Sequence, residues 1–244
     1  MRELLRRRHH LPLPFGDQSH AEQPDRLWIR CPSCNEQLYA KEYEDNLRVC
    51  PKCRFHFQLS SQERLDLLLD PGSFGEMDHN LRGTDPLGFR SEGQIYAEKL
   101  VEYERKAGTP EAVVCGVGSI EAISLIVAAN NFAFQAGSMG VAVGEKIARA
   151  IDLAVSRRLP FVSVSASGGA RQHEGVYALM QMAKTTAALD RLGRVGMPYI
   201  SVLTDPTLGG VPASYAMLGD VNIAEPGAYI GFAGARLIEQ AIRQ

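Results

Sequence analysis

The chain has 244 residues, of which 45% are hydrophobic and 22% are charged, and its formal net charge at pH 7 is -2. This composition is typical of a soluble globular protein and excludes a fibrous or wholly disordered chain. The sequence has no run approaching the ~20 apolar residues of a membrane span, and its net charge provides no global basic field for nucleic acid. We therefore expect a cytoplasmic protein with one large domain and a small appendage.

Four of the five cysteines lie in residues 28–57, after a stretch (residues 1–27) that has three prolines and no hydrophobic periodicity. We predict a flexible tail over residues 1–27. The four cysteines form two C-x-x-C pairs: Cys31, Cys34, Cys50 and Cys53. Each pair places two sulfur atoms on one tight turn, and four thiolates complete a closed tetrahedron around Zn²⁺. The spacing predicts a zinc ribbon over residues 28–57 with a structural metal, because four protein ligands leave no open position for catalysis.

Residues 58–110 are predicted to form a helical connecting region. Ser60 and Glu63 have the spacing of a capping box, which predicts a short helix that ends at Asp70-Pro71-Gly72. A second helix is predicted over residues 91–107, because apolar residues recur there at helical spacing.

Residues 111–244 are predicted to form the larger domain, in which strand patterns alternate with helix patterns. Residues 112–117 and 123–129 predict a hairpin joined by a short Gly-Ser-Glu turn. Two later strands each run into a Gly-Gly pair that opens a helix: strand 161–165, Gly168-Gly169 and helix 176–189, then strand 200–204, Gly209-Gly210 and helix 211–218. This alternation predicts an α/β domain with a parallel sheet.

The two Gly-Gly turns are candidate sites for chemistry. The N-terminus of a helix offers unsatisfied backbone N–H groups, and glycine lets a ligand oxygen approach them closely. Such a turn can form an oxyanion hole. The alternative is that each Gly pair is only a tight connection between strand and helix.

Conventional nucleophilic machinery is absent from the sequence around these turns. The Ser-Ala-Ser-Gly run at residues 165–168 lacks the G-x-S-x-G pattern, and His173 has no acid partner at a telling spacing. His173 and Glu174 are interpreted as a solvated helix start, with a position in the pocket as the alternative. Four further residues are predicted to fill the core: Cys115, Met139, Met180 and Met182.

Six segments together resemble a known family. They are the ribbon at residues 31–53, FAFQAGSMG at 132–140, SASGGAR at 165–171, LMQMAKT at 179–185, YISVLTDPTLGG at 199–210 and IGFAG at 230–234. In this order they resemble the β-subunit family of bacterial acetyl-coenzyme A carboxylase carboxyltransferases. The resemblance spans residue 28 to the end.

The resemblance implies a crotonase-like domain of repeated ββα units behind the four-Cys zinc ribbon. It implies transfer of a carboxyl group from carboxybiotin, carried in trans on the biotin carboxyl carrier protein, to acetyl-CoA, which forms malonyl-CoA in the committed step of fatty acid biosynthesis. An α subunit of the same fold would complete the site in an α2β2 assembly, and biotin carboxylase would carboxylate the biotin.

Carried over by position, the resemblance implies an enolate oxyanion hole at Gly209 and Gly210. It implies that Gly168, Gly169 and Arg171 form the substrate-binding loop beside the coenzyme A channel. Family members continue beyond the helix predicted from Ala235, so we expect the domain to be incomplete at its C-terminus.

Two other functions fit parts of the sequence. A zinc-ribbon nucleic-acid-binding protein is favoured by basic residues in the ribbon and disfavoured by the acidic residues among them. Another crotonase-type acyl-CoA enzyme, a hydratase or thioesterase, would need a side-chain acid or base over the Gly-Gly turn, and Glu174 is the nearby candidate.

Overall fold

The computed structural model describes residues 27–91, 93–233, 238, 239 and 242. The tail predicted over residues 1–27 and the helix predicted from Ala235 lie almost entirely outside these residues. The chain divides into two compact units, of which the first ends at Phe57 and the second begins at Gln58. No described helix combines the length and apolar character needed to cross a membrane.

The first unit is a small ribbon. Strand β1 (Trp28–Arg30) pairs antiparallel with β2 (Gln37–Tyr39), and helix α1 (Ala40–Asp45) follows directly. Its core consists of four buried residues, two of them cysteines: Cys31, Leu38, Tyr43 and Cys50. A core of this size is too small to stabilise a fold by hydrophobic burial alone, so the ribbon depends on a further crosslink.

The second unit begins with the predicted capped helix. Helix α2 (Ser61–Leu68) has both hydrogen bonds of a capping box, since the Ser60 N–H donates to Glu63 Oε2 (2.7 Å) and the Glu63 N–H donates to Ser60 Oγ (3.3 Å). The prediction for Ser60 and Glu63 is confirmed. Strand β3 (Gly75–Met77) follows.

The helix predicted over residues 91–107 begins five residues late. Strands β4 (Arg90–Ser91) and β5 (Gln94–Ile95) form a short hairpin, and only then does α3 (Tyr96–Ala107) begin. Gly93 has a φ of +77°, which lets the chain reverse between the two strands. Ser91 belongs to this hairpin and not to the helix, so the predicted start of the helix at residue 91 was wrong.

The remaining elements alternate between strand and helix. They are β6 (Val113–Ile120), β7 (Ile123–Asn130), α4 (Val141–Arg157), β8 (Phe161–Ser167), α5 (Val176–Arg194), β9 (Tyr199–Leu208), β10 (Val221–Ala224) and β11 (Ile230–Gly231). The sheet order is β10-β9-β8-β7-β6-β3, and β11 pairs with the end of β9. Strands β7 to β10 are parallel to one another, while β6 pairs antiparallel with β7 and β3 pairs antiparallel with β6.

The predicted hairpin and parallel sheet are confirmed, but two local features differ. The hairpin turns at Glu121-Ala122, both with positive φ, rather than at Gly-Ser-Glu. The helix predicted over residues 211–218 is a series of tight turns ending in a 3-10 turn at Tyr215–Met217. In this segment side-chain hydrogen bonds take the place of helical backbone hydrogen bonds. For example, the Ser214 hydroxyl donates to the Gly210 carbonyl oxygen (2.6 Å).

Two apolar layers cover the two faces of the sheet. Helices α4 and α5 pack on one face around Phe161, and α2 packs on the other through Leu65. Cys115 and Met139 are fully buried in the first layer and Met182 is partly buried, as predicted. Met180 is 60% exposed, so the prediction that it fills the core was wrong.

Candidate active site and metal centre

The four ribbon cysteines converge on one point. Their Sγ atoms all lie within 4.8 Å of one another, with 3.7 Å between Cys31 and Cys53 and 3.8 Å between Cys34 and Cys50. A tetrahedral zinc with bonds of about 2.3 Å separates its sulfur ligands by roughly 3.8 Å. The four thiolates therefore fit a closed structural zinc site.

The two halves of this site have the same backbone geometry. The Asn35 N–H donates to the Cys31 carbonyl oxygen, and the Arg54 N–H donates to the Cys50 carbonyl oxygen, both at 2.9 Å. Asn35 and Arg54 both have positive φ, 60° and 61°. Each C-x-x-C pair thus forms the same tight knuckle, which holds two sulfur atoms toward the centre.

The fold brings the two Gly-Gly turns into direct contact at the ends of β8 and β9. Gly169 and Gly209 both have positive φ, and a Cβ on Gly169 would lie 3.3 Å from the Gly209 Cα. Glycine is required at both positions because a side chain would meet the facing backbone. The predicted candidate turns therefore form one site rather than two.

The backbone N–H groups of these turns differ in whether they have an acceptor. Gly168 donates to the Ala136 carbonyl oxygen (2.8 Å), Gly169 to Ser167 Oγ (3.0 Å) and Gly209 to the Gly231 carbonyl oxygen (3.0 Å). Among the described residues no acceptor lies in hydrogen-bond range of the Ala170 or Gly210 N–H. The two free donors are one from each turn.

This accounting changes the candidate donors. Gly210 keeps its place, whereas the Gly209 N–H is engaged with Gly231 and is not free in this structure. The second free donor is the N–H of Ala170, a residue that no sequence pattern singles out. An alanine between a Gly pair and an arginine has no side chain that suggests a function. In the parallel bridge between Met139 and Ala170, the hydrogen bonds use the Gly169 carbonyl oxygen and the Arg171 N–H, which leaves the Ala170 N–H unpaired among the described residues.

Arg171 lies in a buried network rather than on a binding surface. Its side chain has no exposure, and it forms a bidentate pair with Glu111 (2.6 and 2.9 Å). Glu174 Oε1 lies 3.2 Å from the guanidinium. The carboxylates raise the pKa of Arg171 against the opposing effect of burial. The Arg171 side chain therefore faces the protein interior, and the role of residues 168–171 as a substrate-binding loop stays a prediction.

Glu174 is also buried, which corrects its interpretation as part of a solvated helix start. Glu174 Oε2 accepts the N–H of Val141 (2.6 Å), the first residue of α4, and Oε1 accepts the Tyr96 hydroxyl (2.6 Å). Gly140, the N-cap of α4, provides no side-chain cap, so Glu174 supplies it from a distant part of the chain. Burial raises the pKa of Tyr96.

His173 is half-buried beside this network. Its ring stacks on Tyr96 (4.8 Å between centroids) and meets Phe89 edge to face (5.0 Å). Its Nδ1 lies 2.9 Å from Gln135 Nε2. Burial, and then the charge of Arg171, lower the pKa of His173 below 6.5.

A strained turn supports the first Gly-Gly pair. Gln135, Ala136 and Gly137 have consecutive positive φ values of 44°, 52° and 64°. A Cβ on Gly137 would lie 2.0 Å from the Ala166 carbonyl oxygen, so only glycine fits there. Backbone strain of this kind persists where the surroundings fix it, and here it presents the Ala136 carbonyl oxygen to Gly168.

Comparison with known protein families agrees with this architecture. The carboxyl transferase domain family matches residues 58–243, and the acetyl-CoA carboxylase zinc finger domain family matches residues 28–53. The acetyl-coenzyme A carboxylase carboxyl transferase subunit beta of Herpetosiphon aurantiacus is 49% identical over 245 aligned residues, which cover 100% of this chain and 81% of that protein. The protein of the same name from Citrifermentans bemidjiense is 50% identical over 233 residues, covering 96% and 82%.

Solved structures with the same fold are also carboxyl-transferring or decarboxylating enzymes by name. A transcarboxylase 12S chain with bound methylmalonyl-coenzyme A superposes with a TM-score of 0.63 at 28% identity, covering 77% of this chain. This chain spans 34% of that one. A chain of a Pseudomonas malonate decarboxylase hetero-dimer gives a TM-score of 0.58 at 26% identity, and the match covers 75% of this chain and 69% of that one. The predicted crotonase-like α/β fold with a zinc ribbon is confirmed.

Proposed function

This chain belongs to the family of acetyl-coenzyme A carboxylase carboxyl transferase beta subunits, and we propose that its paired glycine turns bind the reacting thioester. The reaction moves a carboxyl group from carboxybiotin to acetyl-CoA and forms malonyl-CoA for fatty acid synthesis. The methyl carbon of acetyl-CoA must lose a proton before it can attack carbon dioxide, and the negative charge then moves to the thioester oxygen. The enzyme must stabilise this enolate.

The free N–H groups of Ala170 and Gly210 are suited to that task. Carboxybiotin supplies carbon dioxide, and its freed ureido nitrogen can accept the methyl proton. The chain itself then needs only donors that point at the enolate oxygen. Two backbone N–H groups on a rigid pair of turns meet this need without reorganisation, and they bind the enolate oxygen more strongly than the less charged ground-state carbonyl.

One observation carries the proposal: within the part of the chain that the structure describes, these two N–H groups have no acceptor, whereas the N–H groups of Gly168, Gly169 and Gly209 are all engaged. Gly210 is buried and Ala170 is half-buried. Backbone N–H groups in such positions are nearly always paired in folded proteins, so two free ones at one point indicate a ligand. Gly168 is exposed, and with Gly169 it forms the proposed edge along which the thioester enters.

We further propose that an α subunit completes the site in an α2β2 assembly, which also meets the biotin carrier protein. Support comes from an exposed apolar surface at the start of α5, made by Val176, Tyr177, Leu179 and Met180. Contiguous apolar surface of this kind is typical of interaction sites. A reducing compartment such as the cytoplasm suits the chain, because its zinc ligands must stay thiolates.

Reconstitution tests these proposals. The chain is mixed with α subunit, a carboxybiotin donor and acetyl-CoA, and malonyl-CoA is measured. We expect product only when all four are present. Full activity without the α subunit would contradict the partner proposal, and thioester hydrolysis or hydration without a biotin donor would favour another crotonase-type enzyme. That alternative is disfavoured because Glu174 is buried and engaged in capping α4.

The other alternative is nucleic-acid binding by the ribbon. Titration of the chain with a random duplex distinguishes it from the transferase function. The ribbon surface carries both basic and acidic residues, all of them exposed: Arg30, Glu36, Lys41, Glu42, Glu44, Lys52 and Arg54. Mixed charge weakens the electrostatic attraction to phosphates. We expect no salt-dependent binding of a random duplex at concentrations where the transferase assembles.

A further inference from the structure

The backbone segment on either side of Ala170 is tied to one neighbouring segment. The Met139 N–H donates to the Gly169 carbonyl oxygen (2.8 Å), and the Arg171 N–H donates to the Met139 carbonyl oxygen (3.0 Å). These two bonds flank Ala170 and fix the peptide plane that carries its N–H. The direction of that N–H is therefore set by how segment 138–139 sits against segment 169–171.

The Arg171 side chain holds the same two segments together a second time. Its Nη2 donates to the Ser138 carbonyl oxygen (2.8 Å), and its Nε donates to Ser138 Oγ (3.1 Å). The guanidinium is thus a bridge from the residue after Ala170 to the residue before Met139. Glu111, two residues before β6, fixes the far side of the guanidinium through two hydrogen bonds.

All four carboxylate oxygens around Arg171 have partners. Glu111 Oε1 also accepts the Ala112 N–H (2.8 Å), and Glu174 accepts the Tyr96 hydroxyl and the Val141 N–H. The positive end of α4 offsets part of the second carboxylate's charge. A buried polar network with every member satisfied has a single arrangement, which rigidifies what it contacts. Buried ion pairs often contribute little net stability. We therefore infer that the pair of Arg171 and Glu111 serves to fix one arrangement of the segments that it contacts.

We propose that Arg171, oriented by Glu111, is a positioning residue that directs the Ala170 N–H toward the enolate oxygen. This inference rests on the proposed function of Ala170 and Gly210 as oxyanion donors. The network acts through the peptide plane between Gly169 and Ala170, which carries the Ala170 N–H, and not through a contact with substrate. Small displacements of a catalytic group of about 1 Å can cost about 10²-fold in rate, so a rigid support has a large effect on turnover.

The main variant is Glu111→Gln, which keeps the side-chain shape and removes the charge that orients Arg171. In the reconstituted complex we expect kcat to fall about 10²-fold per folded molecule while KM for acetyl-CoA changes less than about twofold. Ser138→Ala is the milder second variant, because it removes only the neutral acceptor of Nε. It should lower kcat about fivefold, again with little change in KM.

The matched control is Asp152→Asn, which also deprives an arginine of its carboxylate. Asp152 pairs with Arg191 on the surface, where both side chains are about half exposed. It should leave kcat and KM unchanged. Folding of each variant is checked by thermal unfolding, and kcat is referred to folded protein.

The inference is overturned if Glu111→Gln and Ser138→Ala lower stability yet leave kcat per folded molecule as in the parent chain. Gly210→Ala separates this failure from failure of the proposed function. If Gly210→Ala also leaves kcat unchanged, the oxyanion assignment itself is wrong. If Gly210→Ala lowers kcat and the two network variants do not, only the positioning role is lost.

Discussion

Gly210 lies so close to Met182 that a Cβ at position 210 would stand 3.1 Å from the Met182 Sδ. The same Cβ would stand 3.3 Å from the Ala170 Cβ. Both distances are tighter than ordinary van der Waals contact, so either the methionine end moves or the turn shifts away from Ala170. A shift of the turn changes the separation of the two proposed N–H donors.

Gly210→Ala should therefore impair the chemical step more than substrate binding. We expect kcat to fall about 10²-fold and KM for acetyl-CoA to change little, because the ground-state carbonyl carries little of the charge that the donors stabilise. The measurement is steady-state kinetics of malonyl-CoA formation in the reconstituted complex. A near-normal kcat would remove Gly210 from the site.

Gly193→Ala provides the control for adding a methyl group to a glycine. Gly193 lies within α5 and is exposed, and a Cβ there would meet no described atom within 4 Å beyond its chain neighbours and the adjacent backbone of its own helix. Alanine in a helix is favoured over glycine by roughly 0.5–1 kcal/mol, so this variant should unfold at a higher temperature with unchanged kcat.

Much of the scaffold of the site follows from the sequence, because glycine pairs after strands leave a strong local signal. The turns at Gly168-Gly169 and Gly209-Gly210 were both predicted, and the parallel pairing of β8 with β9 brings them together. The capping box of Ser60 and Glu63 was predicted from the sequence in the same way. These features depend on residues a few positions apart in the chain.

The polar interior could not be predicted, because its partners are far apart in sequence. Glu111 and Arg171 are 60 positions apart, and Tyr96 and Glu174 are 78 apart. No local pattern shows that such charges are paired rather than solvated. The helix predicted over residues 211–218 was wrong for the same reason. The side chains of Tyr199 and Ser201 donate hydrogen bonds to the carbonyl oxygens of Tyr215 and Ala216, and these bonds replace helical ones.

Loss of one zinc ligand should unfold the ribbon. Cys50→Ala leaves three thiolates, and the four-residue buried core cannot hold the knuckles alone. We expect zinc content to fall well below one per chain and residues 28–57 to become sensitive to protease. Transferase activity that survives should keep its pH profile, because the closed site takes no part in catalysis. An ordered ribbon without metal would contradict the structural role.

The environment of His173 predicts a loss of stability at mildly acidic pH. Its pKa is lowered in the folded chain, so between that value and 6.5 the unfolded chain binds more protons. Stability is then full above pH 6.5 and falls as the pH drops toward the lowered pKa. His173→Asn retains an acceptor for Gln135 without this titration. We expect the difference in unfolding free energy between parent and variant to vary with pH in this window, and a constant difference would refute the shift.

Asp205 predicts the opposite pH dependence and tests a half-buried charge near the turn at Gly209-Gly210. Desolvation raises the pKa of Asp205, and the charge of Glu225 raises it further, although Oδ1 accepts the Tyr229 N–H (2.8 Å). Between 3.8 and the raised value the folded chain binds more protons, so this group lowers stability as the pH rises through that window.

Asp205→Asn keeps an oxygen for the Tyr229 N–H and removes the charge. The variant should therefore unfold at a higher temperature than the parent at pH 7, on the order of 2–4 °C for each kcal/mol gained. The advantage should shrink as the pH falls from the raised pKa toward 3.8, and it should be lost below 3.8, where the parent carboxyl is protonated in both states. Thermal unfolding of both chains from pH 7 to pH 3 measures this. A variant that is less stable than the parent at pH 7 would show that the Asp205 carboxylate contributes favourable contacts that outweigh its desolvation.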